Sequence, residues 1–289
     1  MKGWLITNKY FISNSLLTLS DLFLNAAKKL NIELINYNNI EVLSILSKNN
    51  YKRPDFVLFW DKDVKLALYL ESEGIKVFNS SNAIRICDDK ALTYLHLRNK
   101  NIKVPKTIFS PLVYYKDIDK DDEFIDFVIS HLKFPFVFKE CIGSFGKQVF
   151  LVKTKEELKE KIRKANVWPF EAQEFIDTSF GRDLRVYVVG DKVLGGMKRI
   201  SKNGDFRANI ELGSEGHPYD LNENEISLAL KSVKELKLDF AGVDILFGKN
   251  EEPILCEVNS NAFFIEFDRT LGVHVEDNIL NHIVSTINK

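Results

Sequence analysis

The sequence predicts a chain of mixed α/β and α+β class: a small parallel α/β unit followed by two α+β units. Three observations carry that prediction. Strands and helices alternate over the first part of the chain, the pattern of a parallel sheet with helices on its faces. The middle reads as strand, glycine-bearing loop, strand and capped helix. The last part contains two hairpins separated by an amphipathic helix.

The elements follow in order. "WLITN" (4–8) is a strand, and "SLLTLSDLFLNAAKKL" (15–30) has the apolar spacing of a helix. "IELINY" (32–37), a helical stretch, "DFVLFW" (55–60), the helix "VKLALYLESEG" (64–74) and "KVFNS" (76–80) complete the alternation. One helix is expected from Ser81 to about Lys100, with Pro105 ending regular structure. "DEFIDFVISHL" is a helix, and "FPFVFKE" (134–140) and "KQVFLV" (147–152) are strands. Thr154 and Glu157 form a capping box for "KEELKEKIRKA". "EAQEFI" (171–176) is a strand, and "RDLRVYVVGDKVLGGMKRI" is a hairpin turning at Gly190-Asp191. "DFRANIEL" is read as a strand and "NEISLALKSVKELK" as an amphipathic helix. "DFAGVDILFG" and "EEPILCEVNS" form the second hairpin, and "VEDNILNHIVSTI" is the final helix.

Composition narrows the classes of function. Forty Lys+Arg against 41 Asp+Glu give a net charge of −1, a balance that offers nothing toward bulk affinity for nucleic acid or an acidic membrane, so any basic site must be local. Cys87, Cys141 and Cys256 are far apart, with no CxxC pair and no His/Cys cluster, so free thiols in a reducing compartment are expected. "MKGWLITNKYF" reads as a first strand rather than a signal peptide. No apolar run approaches the roughly 20 residues of a membrane helix. A cytoplasmic location is the expectation.

Four stretches carry chemistry. "AGVDILF" places Asp244 among apolar residues, and "ILCEVNS" places Glu257 and Asn259 two apart, on one face of a strand. Two carboxylates and an amide oxygen form a hard oxygen set that suits Mg²⁺ held with phosphates. A solvent-facing hairpin with incidental acids gives the same letters. "FKECIGSFGKQVF" holds Gly143, Ser144 and Gly146 in a loop between strands, with Lys139 ending the first strand. Glycines let backbone N–H groups approach phosphate oxygens, although an ordinary glycine turn reads the same way. "MKRISKNGDFRANIE" supplies Lys198, Arg199, Lys202, Arg207 and Asn209, in which Arg199 and Arg207 fit a bidentate clamp on phosphate or carboxylate. A solvated charge run is the plainer alternative. Asp183 and Arg185 lie two apart on one face, and Glu174 stands on an otherwise apolar strand, where it fits recognition of an adenine amino group or ribose.

The order of these stretches resembles the ATP-grasp superfamily, most closely the branch of the ribosomal protein S6 glutamate ligase. The resemblance runs from about residue 80 to the end and is strongest over 171–261. It implies the ATP-grasp fold: a leading domain (1–85), a central subdomain with a glycine lid (86–175) and a C-terminal subdomain with a metal site (176–289). It also implies roles. Lys90 and Lys139 would hold nucleotide phosphates under the Gly143–Gly146 lid, with Ser144 within it. Glu174, Phe175 and Ile176 would meet adenine, with Asp183 near the nucleoside. Arg207 and Asn209 match an R-x-N at the phosphate end. Asp244, Glu257 and Asn259 match ligands of Mg²⁺, or of Mn²⁺ in its place. Arg185 and Arg199 would steady an acyl phosphate.

The implied reaction joins a carboxylate to an amine with consumption of ATP, adding an amino acid such as glutamate to a peptide, protein tail or small metabolite. The implied partners are ATP and two such substrates, with no nucleic acid or membrane, and oligomerisation stays open. Two loops depart from the relatives. "NSNAFFIEF" lacks the relatives' Pro-Gly turn after the metal Asn, and "FWDKD" (59–63) stands where they carry a Pro-Arg loop. The first departure motivates an alternative: an ATP-binding module that acts through a partner. A dinucleotide enzyme ranks last, because no G-x-G-x-x-G follows the first strand.

Overall fold

Residues 1–48, 50–114, 122–143 and 146–288 are described in a computed structural model. The alternating first part forms β1 (Lys2–Thr7), α1 (Asn14–Lys29), β2 (Glu33–Asn38), α2 (Asn39–Leu46), β3 (Phe56–Phe59), α3 (Val64–Ser72) and β4 (Val77–Phe78). The strands pair in parallel in the order β2-β1-β3-β4. Local chemistry starts the helices. The Ser13 hydroxyl accepts from Leu16 N at 3.1 Å, and Asn38 with Glu41 completes a reciprocal capping box.

The expected single helix over 81–100 is two: α4 (Ser81–Asp88) and α5 (Lys90–Leu97). Asp89 takes an extended backbone and its carboxylate accepts from Leu92 N at 3.1 Å, restarting the helix. Lys90 thereby becomes the first residue of a helix. Next come β5 (Thr107–Phe109), which sequence reading missed, α6 (Asp122–His131), β6 (Phe136–Glu140), β7 (Val149–Val152), α7 (Lys155–Ala165) and β8 (Phe170–Glu174). The sheet order is β5-β8-β6-β7, all antiparallel. Thr154 does cap α7 through Glu157 N, but Glu157 returns its bond to Lys153 N at 2.7 Å rather than to Thr154. The expected strand to residue 176 stops at Glu174, because a 3-10 turn at Asp177–Ser179 follows.

The last part holds β9 (Arg182–Val189), β10 (Lys192–Ile200), β11 (Glu215–Tyr219), α8 (Glu223–Glu235), β12 (Phe240–Phe247), β13 (Pro253–Asn259), α9 (Ile265–Leu271) and α10 (Val275–Ile287). Its antiparallel sheet runs β11-β10-β9-β12-β13. Gly190, at φ +59°, makes the two-residue turn between β9 and β10. "DFRANIEL" is not a strand. Asp205 accepts from Arg207 N and from its guanidinium, and Asn209 caps a 3-10 turn at Ile210–Leu212, so side chains claim the backbone a ladder would use. Helix α9 also went unread, although Gly272 at φ +68° closes it in the usual way.

Two cores cover the two faces of this sheet. Leu184, Val186, Val188, Ala241, Val243 and Ile245 point to α4, α5 and α8. Tyr187, Met197 and Phe240 point the other way, into a core shared with Phe23, Phe56, Trp60 and Phe78 of the leading part and with α9 and α10. Trp60 stacks on Phe240, with centroids 5.7 Å apart and planes 10° apart. Asn79, 1% exposed, joins the leading part to the last sheet: its amide donates to Phe240 O and Ser260 O and accepts from Asp239 N. The middle sheet has a separate core of its own with α6 and α7.

Candidate active site

Strand alternation places the charged residues. On β9, Asp183 and Arg185 share a face with Tyr187; on β10, Arg199 shares it with Met197; on β12, Asp244 shares it with Phe240. Register then sets Arg199 opposite Asp183 and Asp244 opposite Arg185. The result is a buried chain of alternating charge across three strands. Arg199 Nε and Nη2 donate to Asp183 at 2.6 and 2.7 Å. Arg199 Nη2 also stands 3.1 Å from Asp244 Oδ1. Arg185 binds Asp244 through Nε and, at 2.8 Å, through Nη2. Gly242 makes room for this: a Cβ there would lie 3.2 Å from Arg185 Cδ and 2.5 Å from Ala262 Cβ. Burial alone would push the Asp244 carboxyl up, but the two guanidinia outweigh it and hold it below the usual range.

Glu257 and Asn259 reach the same place through a bulge. Asp244 pairs with Glu257, but Ile245 pairs with Leu255, so Cys256 is the extra residue. Leu255 and Val258 both enter the core beneath, while Glu257 and Asn259 line a cavity of about 520 Å³. Asn259 Nδ2 lies 3.4 Å from Asp244 Oδ2.

Of the sequence-predicted residues, Lys90, Gly143, Gly146, Arg185, Arg199, Asn209, Asp244, Glu257 and Asn259 line this cavity. Lys90 Nζ donates to Gly143 O at 3.2 Å and stands 3.9 Å from Glu257 Oε1. Ser144 lies outside the described residues. Lys139 is 6% exposed and donates to Gln173 Oε1 at 2.6 Å, with Glu171 at 3.8 Å. Burial works against its ammonium, and the carboxylates of Glu171, Glu257 and Asp244 outweigh it, keeping the lysine charged. Asp183 is buried beneath the cavity on Arg199.

Arg207 does not line the cavity and its donors are taken within the protein: Nε and Nη2 bind the Asp205 carboxylate at 3.0 and 2.7 Å. Its Nη1 donates to Gly146 O at 2.5 Å and Val149 O at 3.3 Å, tying the approach to β7 to the loop between β10 and β11. Lys198 lies over the Phe247 ring and Lys202 pairs with Glu215, so neither joins the cavity. Glu174 is exposed and accepts from Lys106 N at 3.2 Å, and Phe175 packs edge-on against Phe180 and Phe206. Neither these two nor Ile176 lines the cavity.

Asn8 and Phe11 line the cavity and were missed in the sequence, whereas the two departing loops, "FWDKD" and "NSNAFFIEF", both reach it, the first through Trp60, Asp61 and Lys62 and the second through Phe263, Ile265 and Glu266. A second, small cavity of about 20 Å³ between β8 and β13 is lined by Tyr94, Glu171, Gln173 and Leu255 and shares Lys90 and Glu257 with the first. Glu171, 1% exposed, has Oε2 buried there with no hydrogen-bond partner among the described residues. The unbroken polar alternation of Glu171 and Gln173 along β8 was the signal available for it.

The comparisons with known proteins agree with this architecture. A model of the RimK-like ATP-grasp domain matches residues 87–283. The MG012 homolog of Mycoplasma pneumoniae is 34% identical over 254 residues, covering 86% of this chain and 87% of that one. Beta-citrylglutamate synthase B of Danio rerio is 31% identical over 228 residues, covering 78% of this chain but only 55% of the synthase. Among solved structures, D-alanine–D-alanine ligase from Bacillus anthracis complexed with ATP superposes with a TM-score of 0.75 at 21% identity, covering 99% and 97% of the two chains. At that identity the superposition speaks for the fold. The family model spans more than half of the chain and the first relative nearly all of it, so the chain belongs to the RimK-like ATP-grasp family and is an ATP-grasp ligase.

Proposed function

We propose that this ligase joins a substrate carboxylate to an amine through an acyl phosphate, with ATP and a divalent cation bound in the cavity that the charged sheet face lines. The observation that supports this reading is the meeting of Lys90, Arg185, Arg199, Asp244, Glu257 and Asn259 at one cavity. The chemistry of the donors suits Mg²⁺ or Mn²⁺: Glu257 and Asn259 carry oxygen to the cavity, and Asp244 would join them by exchanging one of its arginine bonds for the cation. Such a cation, held by these residues, would supply neutralisation of phosphate charge. The unpartnered Glu171 Oε2 fits a hydrogen-bond donor on the nucleotide, at a cleft that must widen to admit a base.

In this reading Lys90 and Lys139 hold phosphates as point charges. Arg185 and Arg199 face the transferring group while Asp183 and Asp244 fix their planes. The carboxylate oxygen of one substrate attacks the terminal phosphate and ADP leaves. The amine then forms the C–N bond, and phosphate departs with its C–O electron pair. The chain's own part is positioning and charge stabilisation. The substrates belong to the class of an amino acid and a peptide-like or small-metabolite acceptor. Purified protein with ATP, Mg²⁺ and a panel of amino acids and peptides is expected to release ADP only when a productive pair is present. Silence across a broad panel would sink the reading.

A further inference from the structure

Lys139, near the end of β6, has two acceptors beside it and is held by the less obvious one. Thr107 on β5, Glu171 and Gln173 on β8 and Lys139 share one face of the middle sheet, opposite the face that sends Phe136, Phe138 and Ala172 into the core. All four are buried. Register sets Thr107 across from Gln173 and Lys139 across from Glu171. Yet Lys139 Nζ stands 3.8 Å from the carboxylate opposite it and donates to the neutral Gln173 Oε1 at 2.6 Å.

A run of hydrogen bonds fixes the polarity of that amide. Pro105 O can only accept, so it takes the single hydroxyl proton of Thr107 at 3.0 Å. Thr107 Oγ1 is then left to accept, and Gln173 Nε2 donates to it at 2.9 Å. Gln173 Oε1, and not the amide NH₂, therefore faces the lysine. Without the hydroxyl the buried NH₂ loses its acceptor on β5, and nothing on that strand keeps the carbonyl toward Lys139. The ammonium would then turn to Glu171, whose carboxylate makes the stronger, charge-assisted bond.

We infer that Thr107 is a positioning residue for phosphate binding: through Gln173 it keeps the Lys139 ammonium on a neutral carbonyl, with its charge available, instead of letting Glu171 neutralise it. This rests on the ligase reading, in which Lys139 holds phosphate, and adds to it a residue that lines neither cavity.

The test is equilibrium binding of a non-hydrolysable ATP analogue and of adenosine, each competed against a fluorescent ATP derivative on the full chain. Thr107→Val trades the hydroxyl for a methyl. It is expected to weaken the analogue about tenfold, through the loss of one contact that directs a charge, and to leave adenosine, which has no phosphate, unchanged. Thr107→Ser keeps the hydroxyl and is expected to bind both as the wild type does. Wild-type binding of the analogue by T107V, an equal loss for adenosine, or an equal loss in T107S would each overturn the assignment. Lys139→Met separates it from the ligase reading. Full analogue binding by K139M would overturn phosphate holding by Lys139, and the inference with it; weak binding by K139M beside full binding by T107V would overturn the role of Thr107 alone. Should T107V not fold, Gln173→Glu reads the same link. Its carboxylate would claim the ammonium, so the analogue is expected to weaken more than adenosine, and equal effects on the two would overturn the assignment.

Discussion

One face of the five-stranded sheet is two surfaces. Toward the β9 start it carries Asp183, Arg185, Arg199 and Asp244; a few residues along, it carries Tyr187, Met197 and Phe240 under the leading part of the chain. Both halves are buried, and the same alternation builds both. They differ in what a missing side chain leaves behind. In the charged half each group is the partner of another, so deletion strands a neighbour. In the apolar half deletion leaves a void. The half that lines the cavity is therefore held together by its own charges.

The largest expected effect comes from Asp244→Ala. It removes the acid between two buried guanidinia, and breaking a buried ion pair from one side costs about 3–5 kcal/mol. Both ADP release and the urea midpoint should fall; an unchanged midpoint would mean the ion chain is not structural. Phe240→Ala is expected to cost about 3–5 kcal/mol by leaving a cavity against Trp60, with turnover per folded molecule largely kept. Glu257→Gln separates the two roles. Glu257 is half-open to the cavity and not locked in the ion chain, so ADP release should drop roughly a hundredfold or more with the melting temperature nearly unchanged. An equally large loss of stability would erase the contrast between Glu257 and Asp244.

The smallest effect tests an acidic pair under the apolar half. Asp268, which accepts from Val275 N, and Glu276, 3% exposed, meet between α9 and α10. Burial, then the hydrogen bond and charge of Glu276, push the Asp268 carboxyl up to about 8. An acid whose folded pKa is raised loses stability as pH climbs from its unfolded value, near 4, through the folded one. Thermal stability should decline across pH 5–8, and Glu276→Gln should flatten that decline by a few degrees; parallel curves for variant and wild type would refute it.

The sequence made the charged half legible because its spacing is local. Asp183 and Arg185, or Glu257 and Asn259, are two residues apart, and strand period alone puts each pair on one face. What stayed hidden depends on distant chain. Strict alternation from Leu255 would have sent Glu257 into the core; the Cys256 bulge that redirects it is invisible in the letters. Asn8, Trp60 and Asp61 enter the cavity only because the leading part shares a core with α9, α10 and the last sheet. Arg207 reads as an anion clamp, yet Asp205 beside it and the carbonyls of Gly146 and Val149 occupy its donors. The break at Asp89 was signalled by its own capping geometry and could have been read.

The separate core of the middle sheet sets how the molecule breathes. Residues on β6 and β8 pack with α6 and α7, while the leading and last parts are fused into one interior. Amide protons on β6 and β8 should therefore exchange with solvent together, through an opening that leaves those on β9 and β12 protected. The Arg207 bonds to Gly146 and Val149 would be among the first contacts given up in that opening. A guanidinium that the letters offer as a ligand for phosphate would then act as a latch between the middle and last sheets.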